Sequence, residues 1–372
     1  MLAGKAGTAQ EARAAMKFGV LLTSQPNPDE EPFPHHKTHE RVTEQVLLID
    51  QLGFDVVWIA EHHFNNQYGI MPDCYPYITY LAALAKRVRF GTGVVVLSAY
   101  NPVRAVENAA FTDVLSGGRL DLALGSGYRQ YEFEGLGEDF DNRRDRQEEA
   151  LDILLELFHT GRIEHKGKFY NVRIQPPHQL FPKPVQQPHP PLYMGINTDQ
   201  SAAYAGRHGF GMMLTTLPTI DELKAKGEFY RRELERAPAR FRKNPALGTT
   251  TATRWVYVAE SDARARAESE PGLMRQLGHF AGGLHPTGKK VEADDFNYDR
   301  LRGQTILHGS PASVIAMIEE LRDRAGLDSV LLHYPPYYGR ERTLDMLRLF
   351  AAEVIPHFRG PERAKKKLSA AE

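Results

Sequence analysis

One cysteine, Cys74, stands among 372 residues, so no intrachain disulfide can form, and a reducing compartment such as the cytoplasm suits the chain. No apolar run approaches the roughly 18 residues of a membrane span. Residues 1–15 are rich in Ala and Gly but hold no apolar stretch of the secretory kind; they read as a disordered extension, with Met16 as an alternative start. Charge of either sign is not in excess: 46 basic and 47 acidic residues leave a net −1, which gives no footprint for nucleic acid or an anionic membrane. Several motifs are missing as well. No G-x-G-x-x-G follows the first strand, which counts against a dinucleotide-binding half. The absence of a G-x-S-x-G elbow and of a P-loop lysine counts against serine hydrolases and P-loop enzymes. Without H-E-x-x-H or a Cys/His cluster, no metal site is expected. Residues 360–372, with Lys365-Lys366-Lys367, read as a flexible tail.

What is present is an ordinary globular composition, 42% hydrophobic and 25% charged. The chain is organised around residues 90–97, FGTGVVVL, where two glycines precede a continuous apolar run. Such a run suits a strand buried on both faces, and the glycines signal a close backbone approach. Short apolar strands recur at 17–23, 54–60, 119–124, 192–195, 211–214, 250–259 and 329–333, each followed by a helical pattern. In the first helix Glu40 and Arg41 are expected to face outward. Eight strand–helix units predict one (β/α)8 TIM barrel over residues 16–359, with an open doubly wound sheet as the alternative. Two stretches break the rhythm: residues 160–191, with a proline-rich part and a short hairpin near 170–174, and the Gly- and Asp-rich residues 281–305.

In a barrel the C-terminal strand ends face one mouth. That places Glu61, His62, His63, Gly93, Ser126, Gly127, Tyr128, Asn197, Thr198 and His333 around one cavity. Neutral imidazole can take or give a proton near neutral pH, so the histidine pair is the sharpest candidate for catalysis. Neighbouring residues in extended chain point to opposite sides, so the two would seldom share a metal. Thr198 and Ser201 open a helix, where free amides and hydroxyls bind phosphate or simply cap.

Together these pieces resemble the bacterial luciferase-like flavin-dependent monooxygenases, closest in pattern to the alkanal monooxygenase α chains. The resemblance runs over residues 17–358. It rests on Lys17-Phe18-Gly19; Glu61-His62-His63-Phe64; Gly91-Thr92 with Asn101-Pro102-Val103-Arg104 and Glu107; Gly118-Arg119 with Glu132-Phe133 and Gly137; and Gly309-Ser310-Pro311. It implies reduced FMN, supplied by a flavin reductase, and dioxygen, joined as a C4a-peroxyflavin that oxidises a small substrate such as an aldehyde or ketone. It maps a non-proline cis peptide to Gly93–Val94, flavin contacts to Ser126, Gly127 and Tyr128, phosphate contacts to Asn197, Thr198 and Ser201 with Arg129 as charge partner, and proton handling to His62, with His63 beside it and Glu61 as one group able to fix its tautomer. A cytoplasmic homodimer is expected.

The chain departs from the light-emitting enzymes at Gly125, where they carry a reactive cysteine, and at Ser126, where they carry an arginine. Deazaflavin F420 is the second choice of cofactor. A silent flavin-binding subunit and a metal-dependent barrel hydrolase are the other functional classes considered. Residues 281–303 are expected to form a mobile lid.

Overall fold

Strands buried on both faces must be covered inside and out, and the computed structural model does this by closing the sheet. It describes residues 16–33, 35–280 and 295–359. The expected N-terminal extension, the C-terminal tail and residues 281–294 of the expected lid lie outside the described residues.

In chain order the strands are β1 (Lys17–Leu22), β2 (Val56–Ile59), β3 (Arg89–Thr92), β4 (Val95–Val96), β5 (Leu120–Gly125), β6 (Ile163–Lys166), β7 (Asn171–Ile174), β8 (Leu192–Ile196), β9 (Gly211–Leu214), β10 (Thr250–Val258), β11 (Ile306–Gly309) and β12 (Ser329–His333). The helices are α1 (His36–Leu52), α2 (Cys74–Leu84), α3 (Pro102–Leu115), α4 (Gln130–Leu136), α5 (Arg143–Thr160), α6 (Asp199–Arg207), α7 (Ile220–Glu235), α8 (Asp262–Gly278), α9 (Tyr298–Leu301), α10 (Pro311–Ala325), α11 (Arg340–Leu349) and α12 (Ile355–Phe358). A π turn, Phe350–Val354, joins the last two.

Strands β12, β1, β2, β3, β5, β8, β9 and β10 are parallel neighbours in that order, and β10 returns to β12. The ring is a (β/α)8 barrel, and closure excludes the open sheet. Inside it, Val56, Trp58, Ala123, Tyr193, Met213 and Leu331 pack together. Trp58 and Tyr193 meet edge to face with ring centroids 5.1 Å apart. The larger apolar cluster fills the space between strands and helices.

The organising run is not one strand. Gly91 pairs with Asp121 and Val95 with Leu124, so four steps on one strand face three on the other. The extra residue makes a bulge. Thr92 repairs the broken ladder: its hydroxyl donates to the Ala123 carbonyl at 2.8 Å and accepts from the Ala123 amide at 2.9 Å. The Gly93–Val94 bond lies in this bulge and is cis, as expected. The close approach signalled by the glycines is also found. A Cβ at Gly91 would lie 2.1 Å from the Trp58 ring, and one at Gly93 would lie 2.9 Å from Leu21.

The sequence reading missed β11. Trp255 pairs with His333 of β12 and also with Ile306 of β11, so β11 occupies the edge of β10 beyond the end of β9. The hairpin expected near 170–174 is there, with β6 as its unforeseen partner. Arg41 does not face outward. It donates through Nε and Nη2 to the buried Glu31 and through Nη2 to the Gln25 carbonyl at 2.8 Å. The loop after β1 is thereby fastened to α1, and Gln25 reaches on to Gln276 at 2.8 Å.

Candidate active site

Strand ends converge on the expected mouth. A cavity of about 170 Å³ is lined there by Glu61, His62, Gly93, Val94, Ser126, Gly127, Tyr128, Asn197 and His333. All nine belong to the sequence-predicted set. Tyr68, Thr253, Trp255 and Phe280 also line it and were not singled out; Glu132 lines it too, named from the sequence only within the resemblance and given no role there. Gly125 and Gly195 leave a wall without side chains: a Cβ at Gly125 would lie 2.7 Å from Val94.

The two histidines part, as extended chain dictates. His62 turns to the cavity, and its Nδ1 lies 3.0 Å from Oε1 of Glu132. The same oxygen accepts the His63 amide at 3.1 Å. An ionised carboxylate can only accept, so Nδ1 carries the proton and Nε2 keeps a lone pair. Burial pushes His62 below its ordinary pKa, more than the Glu132 hydrogen bond and charge raise it. The ring is therefore neutral at pH 7. Glu61 was expected as one orienting group for this ring; Glu132 takes that role, and Glu61 instead receives His63 Nε2 at 3.3 Å and the Tyr100 hydroxyl at 3.1 Å. The Glu61 bond raises His63 above its ordinary value. His333 faces the same cavity; its Nδ1 donates to the Leu21 carbonyl at 3.0 Å, and burial pulls its pKa down to about 4.

A second pocket adjoins the first and shares Ser126, Gly127, Tyr128, Gly195 and Asn197 with it. Its volume is about 60 Å³, roughly the share of two water molecules. Thr198 and Ser201 line it, at the start of α6, where they form a reciprocal capping box. Arg143 and Arg144 of α5 line its opposite side. Three polar atoms around it are buried and lack a hydrogen-bond partner: Arg143 Nε, Gln147 Nε2 and the Tyr204 hydroxyl. Orphaned donors of this kind are rare and call for an acceptor. Arg129, expected here as charge partner, does not line this pocket; its guanidinium lies against the rings of Tyr68 and Tyr128. Among the described residues no group of three His, Cys, Asp or Glu is placed to hold a metal ion. No helix among them is long and apolar enough to cross a membrane.

The arrangement offers a cavity of mixed polar and apolar lining that holds two neutral imidazoles, His62 and His333, next to a small pocket with unpaired donors. The family model of luciferase-like monooxygenases matches residues 16–329. The oxygenase component of a flavin-dependent trigonelline monooxygenase from Acinetobacter baylyi is 30% identical over 209 residues, 56% of each chain. An alkanal monooxygenase α chain from Photorhabdus luminescens is 28% identical over 219 residues, 58% of each chain. The chain spans about half the length of the first curated relatives it matches. Among solved structures, monooxygenase RslO1 from Streptomyces bottropensis superposes with a TM-score of 0.78 at 25% identity, covering 92% of this chain and all of that one. The oxygenating constituent of 3,6-diketocamphane monooxygenase from Pseudomonas putida, in complex with FMN, gives 0.74 at 19% identity over 93% of this chain and all of that one. An F420-dependent tetrahydromethanopterin reductase from Methanopyrus kandleri gives 0.71 at 18% over 93% and 100%.

Proposed function

Since the chain belongs to the luciferase-like monooxygenase family, we propose that it holds reduced FMN at the barrel mouth and oxygenates a small organic substrate such as an aldehyde or ketone. The observation that carries this is the paired cavity: a room beside His62, adjoining a pocket lined by Arg143, Arg144, Gln147, Glu148 and Tyr204, in which Arg143 Nε, Gln147 Nε2 and the Tyr204 hydroxyl lack partners. The flavin ring would occupy the room against the side-chain-free wall at Gly125 and Gly195, and its phosphate the pocket. Reduced flavin supplies the electrons that activate dioxygen. The residues do the rest. Arg143, Arg144, Thr198 and Ser201 hold the anion. The tyrosines and Phe280 exclude water. His62 Nε2 takes a proton from the reacting centre, and Glu132 steadies the charge that results.

The small pocket beside the main cavity, with Arg143 and Arg144 in its lining, supports the FMN reading. Titration should show FMN binding at least tenfold more tightly than riboflavin, which lacks the phosphate; this is the low end for hydrogen bonds to a charged group. Equal affinity for the two, or preference for F420, would remove the cofactor assignment. Ser201→Ala is expected to weaken FMN binding by about 1 kcal/mol, roughly fivefold, and to leave riboflavin unchanged. A lost cap alone would lower the melting temperature and leave the FMN-to-riboflavin ratio where it was.

A flavin reductase is the natural supplier of reduced cofactor. The exposed apolar side chains Tyr80 and Leu84 of α2 and Phe111, Val114 and Leu115 of α3, on two helices that pack together, support a homodimer that uses this face. Sedimentation equilibrium showing only monomer at micromolar concentration would remove that assignment.

A further inference from the structure

Arg129 is the charged group at the mouth that the cofactor leaves unused. It follows Gly127, whose φ of 71° turns the chain out of β5. Its guanidinium carbon lies 4.2 Å from the Tyr68 ring centroid, 5.0 Å from that of Tyr128 and 6.0 Å from that of Tyr131. Tyr68 and Tyr128 line the main cavity, and so does Phe280, 5.4 Å from Tyr68; Arg129 stands next to these rings and is not itself part of the lining. On another side Tyr68 contacts the His62 ring at 4.4 Å. The aromatic box and the neutral base thus share a wall.

Ring faces stabilise a cation but accept few of its five N–H groups. No carboxylate pairs with Arg129 among the described residues; burial works to lower its pKa, and the three tyrosines, of which Tyr128 and Tyr131 hydrogen-bond to it, outweigh that. Glu132, three residues on, feels its charge, yet Glu132 Oε1 is held by His62 and the His63 amide. Arg129 Nε is buried and has no hydrogen-bond partner. A planar cation whose Nε is unspent, stacked in aromatics beside a reaction cavity, matches a carboxylate on a flat or apolar body.

We propose that the substrate carries a carboxylate bound by Arg129, with its body against Tyr68, Tyr128 and Phe280 and its reacting atom toward His62. The proposal rests on the oxygenase reading for the last of these placements, while the carboxylate contact stands on Arg129 alone. It also separates two anion sites at one mouth: the α5–α6 pocket for the cofactor, Arg129 for the substrate.

Calorimetry decides it, with matched probes: benzoate and benzamide, phenylacetate and phenylacetamide, hexanoate and hexanamide. Each is titrated into protein with and without saturating FMN. At least one carboxylate should bind about tenfold or more tightly than its amide. Arg129→Met should bring that ratio to about one, and Arg129→Lys, which keeps a point charge without the planar fork, should restore part of it. The FMN-to-riboflavin ratio should be unchanged in both variants. The proposal is overturned if no pair shows the preference, if the preference survives in Arg129→Met, or if Arg129→Met lowers FMN affinity selectively, which would return the arginine to the cofactor phosphate. Should the protein take up no FMN, the cofactor assignment fails, and the flavin-free titrations still decide the carboxylate site.

Discussion

His62→Ala is expected to fold, to bind FMN with wild-type affinity, and to form at least tenfold less oxygenated product per reduced flavin, with hydrogen peroxide released instead. A well-placed acid–base group contributes typically 10²–10⁴-fold, and tenfold is the low side once water substitutes in part. The geometry behind this is specific. Nδ1 is committed to Glu132, so the free nitrogen of a neutral ring lies on the cavity side. If the histidine only packed, its removal would lower flavin affinity and stability together while product per flavin held. Full coupled turnover in a stable, flavin-loaded variant ends the catalytic assignment. The pH profile gives a second reading. Burial lowers the His62 pKa and Glu132 pulls it up. Glu132→Gln removes the upward pull, so the base stays unprotonated to lower pH, and the acid limb of the coupling profile should move down. A limb that stays put or moves up contradicts the pairing.

Arg41→Met is expected to destabilise the protein by about 3 kcal/mol at pH 7, the lower end for stripping one partner from a buried ion pair. Glu31 is only 4% exposed, and the substitution leaves its carboxylate with the Thr38 hydroxyl at 2.8 Å and the Asn27 amide at 3.0 Å but no cation. In the intact protein burial pushes Glu31 up, and Arg41 with these smaller partners outweighs it, so its pKa sits below the ordinary value. A depressed carboxylate contributes stability above its unfolded pKa and loses it as pH falls through the folded one. Without Arg41, burial goes unopposed by a cation and the folded pKa rises. The gap between the two proteins should therefore narrow as pH drops through the carboxylate range. Urea unfolding at pH 7 and pH 4 tests this; an equal gap at both, or one under about 1 kcal/mol at pH 7, refutes it.

The barrel was legible because each of its strands is short, apolar and followed by a helical period, and closure needs nothing more. The segment Ile306–Gly309 was not, because four residues at the end of a Gly-rich stretch carry no period of their own. The mouth was legible as a set of strand ends but not as a set of partners. Glu132 lies 70 residues from His62, on a seven-residue helix that no pattern announced, and only the closed ring brings them together. Arg41 reads as the polar side of a helix until the loop after β1 folds back over it. Arg129 is near Ser126 in sequence, which suggested a shared phosphate, but the turn at Gly127 sends its side chain to the tyrosines. Arg143, Gln147 and Tyr204 were silent because orphaned donors exist only in three dimensions.

The Trp58–Tyr193 contact inside the ring has a consequence for how this protein can change. Packed side chains at that depth make a floor, so stability is held below the mouth and selectivity above it. Phe280 packs against the larger cluster, whereas Tyr68 and Tyr128 stand outside the strands and the packed clusters. Variation confined to such positions can alter what is accepted while the folding free energy stays nearly constant. The floor makes the rim evolvable, and a library at Tyr68 and Tyr128 can explore new ligands without first adding stabilising substitutions.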